Sequence, residues 1–234
     1  MEIYINTPFL KQRAKIGKYS TWAGVAALLI GLFMASRSIW ISYLSLLIGL
    51  VGATVGSHFS STYVREPRPE QMFSHLLDGL DKRYAVYCYF MPSNHVVLSH
   101  YGLTVLLPKA QKGEITYSNG RWQHKAGMRK ILQLIGEPGL GNPEKELATE
   151  MKWVKDWLTK AVPELEVPVQ GVIVFIHPEA ALNAAGSPTP AMLSVDLPEY
   201  MRQGMKGQPT ISTANQKELR RVLDAIVASG KRAS

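Results

Sequence analysis

Two apolar runs stand back to back near the start of this 234-residue chain and limit its fold more than any other feature. The first covers roughly residues 19–35 and the second roughly residues 39–59, with Arg37 as the one charge between them. A helix needs about 20 mostly apolar residues to cross the hydrocarbon core of a bilayer. The pattern therefore predicts a transmembrane helical hairpin over residues 19–59, with both of its ends on one side of the membrane.

Basic residues flank the two ends of the hairpin, and the connector holds Arg37 alone. The flanking residues are Lys11, Arg13, Lys15, Lys18, Arg65 and Arg68. Cytoplasmic flanks carry the excess of Lys and Arg, so both termini are expected in the cytoplasm of a multi-pass protein of the bacterial inner membrane. Residues 1–18 are then a basic cytosolic leader, which suits the anionic headgroups of the lipid bilayer.

Two other interpretations of the apolar runs are less favourable. A cleaved signal peptide is disfavoured because a second apolar run follows the first directly. A buried hairpin in a soluble protein is disfavoured because soluble helices normally carry a polar stripe, which these runs lack. Glycines that recur at helical spacing would instead let two membrane helices approach closely; they are Gly49, Gly52 and Gly56.

The chain after the hairpin predicts a linker over residues 60–69 and then one α/β domain over residues 70–234. Helical spacing of apolar residues begins at Glu70, and strand-like runs cover 84–90, 95–100, 103–107, 114–117, 121–124, 171–176 and 192–196. Asn119-Gly120 predicts a hairpin turn. Further helices are expected after Asn142-Pro143 and after a capping box formed by Asn215 with Glu218.

The strand region also carries a pattern that resembles a known family. The segment SNHVVLSHYGLTVLLPKAQKGEITYSNGRW, residues 93–122, is similar to the core of the nuclease-related (NERD) domain of the restriction-endonuclease-like superfamily. The resemblance extends over roughly residues 69–205 and implies a mixed-sheet α/β fold. It also implies a site in which two carboxylates hold Mg²⁺ and a lysine assists phosphodiester hydrolysis.

The chain departs from that pattern at the positions where the resemblance implies catalytic residues. Asn94 stands where the first carboxylate belongs, Pro108 replaces the second, and Lys109 lies one position short of the usual lysine. Shifting the alignment by one residue puts Ala110 in that place, and Glu146 occupies a glutamine position of the family. Glu70 alone cannot hold Mg²⁺ tightly, because this ion needs several oxygen ligands. We therefore expect a catalytically inactive domain without metal or cofactor.

The competing hypothesis is an active, membrane-tethered nuclease in which Mg²⁺ uses shifted ligands such as Asp78, Asp81 or Glu114. The favoured hypothesis is binding or scaffolding at the cytoplasmic face, with a membrane protein or nucleic acid as partner. Side chains that could contact phosphates are Lys109, Lys112, Arg121, Lys125, Arg129 and Lys130. The leader and Arg37 carry half of the formal net charge of +8, so the domain itself is only mildly basic. A third hypothesis is an accessory structural subunit of a larger membrane complex.

Overall fold

The structure is a computed structural model that describes residues 1–64, 68–125, 139–205 and 207–233. The chain divides into two compact units. One unit comprises Thr7–Arg68, and the other combines Met1–Asn6 with Pro69–Ser234. The helical unit is thus inserted into the sequence of the other unit.

The helical unit is an antiparallel hairpin of α1, Thr7–Met34, and α2, Ile39–Tyr63. Its helices approach closely at glycines: a Cβ added to Gly52 would lie 2.8 Å from the Cα of Gly24, so only glycine fits there. Both helices are long and apolar enough to cross a membrane by length and composition. Large apolar side chains on both helices are exposed, Trp40 by 81% and Phe33 by 76%.

The α/β unit contains a six-stranded mixed sheet. Its strands are β1 Glu2–Ile5, β2 Ala85–Cys88, β3 His95–Ser99, β4 Gly102–Lys109, β7 Val169–Phe175 and β9 Ala191–Leu193. They lie side by side in the order β1-β2-β3-β4-β7-β9. The β1–β2, β4–β7 and β7–β9 pairs are parallel, and the β2–β3 and β3–β4 pairs are antiparallel. The strands β2, β3 and β4 are almost wholly buried, as their continuous apolar runs predict.

Strand β1 corrects the interpretation of residues 1–18 as one leader. Glu2 pairs with Ala85 and Ile5 with Cys88, so the first six residues belong to the α/β unit. Helix α1 already begins at Thr7 and includes the basic residues. The domain therefore starts before the hairpin rather than after it. The expected linker over 60–69 is also shorter, because α2 extends to Tyr63 and a third helix begins at Pro69.

A second sheet has three strands, β5 Gly113–Ser118, β6 Arg121–Lys125 and β8 Ala180–Asn183. Their order in the sheet is β6-β5-β8. The predicted turn between β5 and β6 is confirmed, since Asn119 and Gly120 both have positive φ, at 53° and 71°. Strand β8 pairs in parallel with β5 and was not predicted.

Helices pack on the six-stranded sheet. They are α3 Pro69–Leu77, α4 Pro143–Ala161 and α5 Thr213–Ser229, with short helical turns over Ser194–Asp196, Leu197–Glu199 and Tyr200–Gly204. Helix α4 lies close to β7, because a Cβ on Gly171 would come within 2.8 Å of Leu147. The predicted Asn142 cap of α4 is confirmed, since its side chain accepts a hydrogen bond from the Lys145 N–H.

The cap of α5 differs from the predicted capping box. Ser212 is the cap, and its Oγ accepts a hydrogen bond from the N–H of Asn215 at 3.1 Å. Ile211, just before it, is buried and donates its N–H to the His100 carbonyl, which fixes where the helix begins. The helix ends as expected at Gly230, which has a φ of 65°.

Candidate functional site

The C-terminal end of β4 carries the lysine singled out by the sequence. Pro108 pairs with Val174 and Lys109 with Phe175 in the parallel register of β4 and β7. The Lys109 side chain is only 9% exposed. Its Nζ donates hydrogen bonds to the Glu146 carboxylate at 2.7 Å and to the Leu140 carbonyl oxygen at 3.1 Å. A carboxylate from helix α4 therefore neutralises this buried ammonium group.

The loop that leads into α4 places Glu146 against Lys109. Gly141 has a φ of 65°, a conformation that glycine adopts readily. A Cβ at Gly141 would lie 2.7 Å from the Glu146 Oε1, so any other residue here would force the end of the glutamate side chain to shift. The Glu146 side chain remains 45% exposed. The ion pair thus has one buried member and one that reaches solvent.

Glu150 lies one helical turn after Glu146, on the same face of α4. Its Oε2 accepts a hydrogen bond from the Ser93 hydroxyl at 2.6 Å. Burial raises the pKa of Glu150 above its usual range, and the neighbouring Glu146 acts in the same direction. The Ser93 hydrogen bond and the cations of Arg232 and Lys109 oppose that rise. Two carboxylates and two cations therefore lie within electrostatic reach of one another.

The turn over residues 89–94, between β2 and β3, connects the Lys109, Glu146 and Glu150 side chains to Glu70. The Tyr89 N–H donates to the Asn94 carbonyl oxygen at 2.7 Å, and Tyr89 has a φ of 65°. The Tyr89 hydroxyl donates to the Glu70 carboxylate at 3.2 Å, and Glu70 is buried. Ser93, which binds Glu150, belongs to the same turn. The turn over 89–94 therefore joins Glu70 and Asn94 to the α4 carboxylates.

His95, the first residue of β3, is buried against the rings of Phe73 and Tyr89 at centroid distances of 5.3 and 5.0 Å. Burial lowers its pKa to about 3, and the Arg232 cation acts in the same direction. Among the residues that the structure describes, none forms a hydrogen bond with either ring nitrogen. The imidazole is therefore a neutral packing group near neutral pH.

The C-terminal tail binds backbone carbonyl oxygens of the 89–94 turn. Arg232 donates from Nε to the Met91 carbonyl oxygen at 2.8 Å and from a terminal nitrogen to that of Pro92 at 2.5 Å. The Ala233 N–H donates to the Phe90 carbonyl oxygen at 2.8 Å. Sequence reasoning missed Arg232, because no local pattern indicates a contact with residues some 140 positions away. It also missed Ser93 and Glu150, although Glu150 lies four residues after Glu146 on a predicted helix.

At the positions where the resemblance implies the catalytic carboxylates, the side chains offer few oxygen ligands for Mg²⁺. Asn94 offers a neutral amide, Pro108 has no ligand atom, and the Glu146 carboxylate is engaged by Lys109. Across residues 1–64, 68–125, 139–205 and 207–233, no three His, Cys, Asp or Glu side chains converge as a metal site would require.

Of the proposed substitute ligands, Asp81 pairs with Arg83 at 2.8 Å, and Glu114 pairs with Lys125 at 3.2 Å.

The predicted phosphate-binding residues are only partly brought together. Lys112, Arg121 and Lys125 lie in or beside the three-stranded sheet, where Arg121 and Lys125 are exposed. Lys125 is already paired with Glu114. Lys109 does not join them on the surface, because it is buried in its ion pair with Glu146. Arg129 and Lys130 lie outside the described residues.

No protein-family model, curated protein or solved structure matches this chain. A function is therefore inferred from its own residues.

Proposed function

We propose that this chain is a membrane-anchored, catalytically inactive domain of restriction-endonuclease-like fold that acts by binding or scaffolding at the cytoplasmic face of a bacterial inner membrane. The observation that carries the proposal is the ion pair of Lys109 with Glu146 at the end of β4. A metal-dependent nuclease needs carboxylates free to hold Mg²⁺ and a lysine free to stabilise developing charge. Here the lysine and a carboxylate occupy each other, and Pro108 beside them offers no ligand.

The succession of elements supports the restriction-endonuclease-like assignment. Helix α3 is followed by β2, β3 and β4, next by β5 and β6 of the three-stranded sheet, and then by α4 and β7. The strands β2, β3, β4 and β7 are adjacent in the six-stranded sheet. This is the order of helices and strands that the resemblance to the NERD domain leads us to expect. Catalytic function does not follow from such an order, since it depends on the residues at the site.

The chain connectivity supports the proposed topology. Strand β1 before the hairpin pairs with β2 after it, so both ends of the hairpin enter one folded unit. If α1 and α2 span a membrane, that unit lies wholly on one side. Lys and Arg flank these ends, whereas the connector holds Arg37 alone, which favours the cytoplasmic side.

The absence of catalysis is tested on the full chain in mild detergent, with plasmid and single-stranded DNA and either Mg²⁺ or Mn²⁺. We expect both substrates to remain intact. Cleavage that disappears in Lys109→Met but persists in Lys160→Met would contradict the proposal. Lys160 is the matched control, because its substitution removes the same charge at an exposed residue that belongs neither to the ion pair nor to the predicted phosphate-binding residues.

A second candidate is an active nuclease with shifted ligands, favoured by one specific observation. Glu146 and Glu150 place two carboxylates on one face of α4 within reach of Lys109. This candidate predicts Mn²⁺-dependent cleavage that Glu150→Gln abolishes. It also predicts that Mn²⁺ raises the melting temperature of the unsubstituted chain but not that of Glu150→Gln. Without cleavage and without this stabilisation, the second candidate is rejected.

Membrane topology is tested with cysteine labelling of intact cells by a membrane-impermeant maleimide. Cys88, the one native cysteine, is buried, so new cysteines dominate the labelling. We expect Ser36→Cys in the connector to react from outside, and Lys11→Cys and Ala228→Cys to react only after the cells are opened. Labelling of Ala228→Cys in intact cells would overturn the cytoplasmic placement.

A binding role requires a partner, which we propose to be another membrane protein. Trp153 on α4 is 50% exposed and is a candidate contact, whereas its neighbour Trp157 is buried. Purification in mild detergent should then yield a stoichiometric complex that Trp153→Ala weakens and Lys152→Ala, an adjacent exposed residue, leaves intact. Tight, salt-dependent DNA binding that Arg121→Gln reduces would favour nucleic acid as the partner instead.

A further inference from the structure

The hairpin contains a cavity of about 430 Å³ between α1 and α2. It lies where the N-terminal half of α1 runs beside the C-terminal end of α2. Its lining includes Ala14, Lys15, Lys18 and Trp22 on α1 and Ser60 on α2. Its walls are mostly apolar. The volume falls within the range of about 300–1,000 Å³ that is typical of small-molecule sites.

The cavity lies beside a point where the two helices touch. A Cβ added to Gly17 would approach the Cβ of Phe59 to 3.0 Å, so the backbones are close there. The Arg13 guanidinium lies over the rings of Phe9 and Phe59, at 4.9 and 5.7 Å from their centroids. Aromatic and basic side chains thus surround the helix ends, as they do at the interface between membrane and water.

The charge around the cavity has one sign. Lys15 and Lys18 lie three residues apart on α1 and therefore on one face. No acidic residue occurs anywhere from position 7 to position 64, so neither ammonium group has a carboxylate partner within the hairpin. An apolar cavity edged by two such lysines is complementary to a ligand that has an apolar chain and an anionic head.

We propose that this cavity binds one anionic phospholipid, with an acyl chain between α1 and α2 and the phosphate near Lys15 and Lys18. The inference rests on the proposed membrane location, since Lys18 directly precedes the apolar run and then lies at the depth of the headgroups. Basic residues at the cytoplasmic surface attract anionic lipids. A free phosphate would leave the apolar walls in contact with water, which favours a lipid over a soluble anion.

The test uses the full chain in mild detergent, with bound lipids counted by native mass spectrometry. Phosphatidylglycerol and phosphatidylcholine with identical acyl chains are supplied separately at equal concentration. We expect one phosphatidylglycerol molecule to be retained, and phosphatidylcholine to be retained at least about fivefold less. Excess glycerol phosphate should not compete with phosphatidylglycerol, because it lacks the acyl chains.

Variants distinguish a built site from general attraction to basic residues. Lys15→Gln and Lys18→Gln should each lower the retention of phosphatidylglycerol about fivefold. Lys11→Gln removes the same charge from an exposed residue outside the cavity and should leave retention unchanged. Ala14→Leu fills the cavity without altering charge and should also lower retention. Circular dichroism of each variant checks that the helices are intact, and only variants with unchanged helix content are compared.

Three results would overturn the proposal: equal retention of the two lipids, competition by glycerol phosphate, or the same loss for Lys11→Gln as for Lys15→Gln. Sodium carbonate extraction of membranes separates this failure from that of the proposed function. A chain that stays in the extracted membranes but shows one of these results lacks the lipid site only. A chain released without detergent contradicts both proposals.

Discussion

Lys109 and Glu146 lie 37 residues apart in the chain, and their side chains meet at 2.7 Å. The pair is asymmetric, because the lysine side chain is 9% exposed and the glutamate side chain 45%. Removing one partner therefore has different consequences from removing the other. Loss of the glutamate removes the carboxylate that binds this buried ammonium group and leaves its hydrogen bond to the Leu140 carbonyl oxygen.

Glu146→Gln is expected to lower the free energy of unfolding by about 1–2 kcal/mol, less than for a fully buried pair because solvent reaches Glu146. The double variant Lys109→Met with Glu146→Gln should be more stable than Glu146→Gln alone, since it also removes the buried charge.

The free energy of unfolding of both variants is measured by denaturant unfolding of the full chain in micelles, followed by near-ultraviolet circular dichroism. Glu114→Gln is the matched control, because the Lys125–Glu114 pair is exposed on both sides. Equal effects of the two glutamine variants would contradict the prediction.

Gly141→Ala is expected to destabilise the fold and to displace Glu146 from Lys109. The substitution forces a side chain into positive φ, and the new Cβ would lie 2.7 Å from the Glu146 Oε1. Gly186→Ala is the matched control, since Gly186 has a φ of 81° and no atom within 4 Å of an added Cβ. Both variants should lose about 1 kcal/mol from backbone strain, and Gly141→Ala should lose more. Equal melting temperatures would show that the contact with Glu146 has no energetic weight.

The sequence predicted those elements whose signal is local. The strands β2, β3, β4 and β7 are continuous apolar runs, and the Asn119-Gly120 turn and the Asn142 cap depend on two or three adjacent residues. Strands β1 and β8 have four residues each, with polar residues among them, and their partners are distant in the chain. The two strands form by pairing with β2 and β5, and no local sequence pattern predicts this pairing.

In the candidate site too, some residues have a local sequence signal and others depend on contacts between distant parts of the chain. The positions Asn94, Pro108 and Lys109 were identified from a linear pattern along β3 and β4. The ion pair with Glu146 depends on how α4 packs against the sheet, and the contact of Arg232 with the 89–94 turn depends on the path of the C-terminal tail. Tertiary contacts of this kind decide whether a charged side chain is available to a ligand, and a single sequence does not contain them explicitly.

His95→Phe is expected to make the protein less sensitive to acid. Burial holds the pKa of His95 at about 3, against an ordinary value of 6.5. The unfolded chain therefore takes up a proton that the folded protein refuses, and native stability falls as the pH drops from about 6.5 towards 3. Phenylalanine cannot titrate and packs against the same rings. Melting temperatures across this range should decline less steeply for His95→Phe than for the unsubstituted chain.

The control for that experiment is His75→Gln, which alters an exposed histidine on α3. Its acid decline should follow that of the unsubstituted chain. Parallel curves for His95→Phe and the unsubstituted chain would mean that the buried imidazole is protonated in the folded state.

Glu150→Gln is expected to stabilise the protein increasingly as the pH rises above 4.5. Burial raises the pKa of Glu150 above this ordinary value, so the folded protein binds the proton more tightly than the unfolded chain does. The stabilisation is complete below 4.5 and is lost as the pH rises through the folded pKa, where the carboxyl must ionise in its buried position. Glutamine remains neutral and its amide oxygen can still accept the Ser93 hydrogen bond.

The difference in melting temperature between Glu150→Gln and the unsubstituted chain should therefore grow from pH 4 to pH 7. Glu164→Gln, at an exposed residue, is the control and should show no such growth. A constant difference would mean that Glu150 ionises as easily in the folded protein as in the unfolded chain.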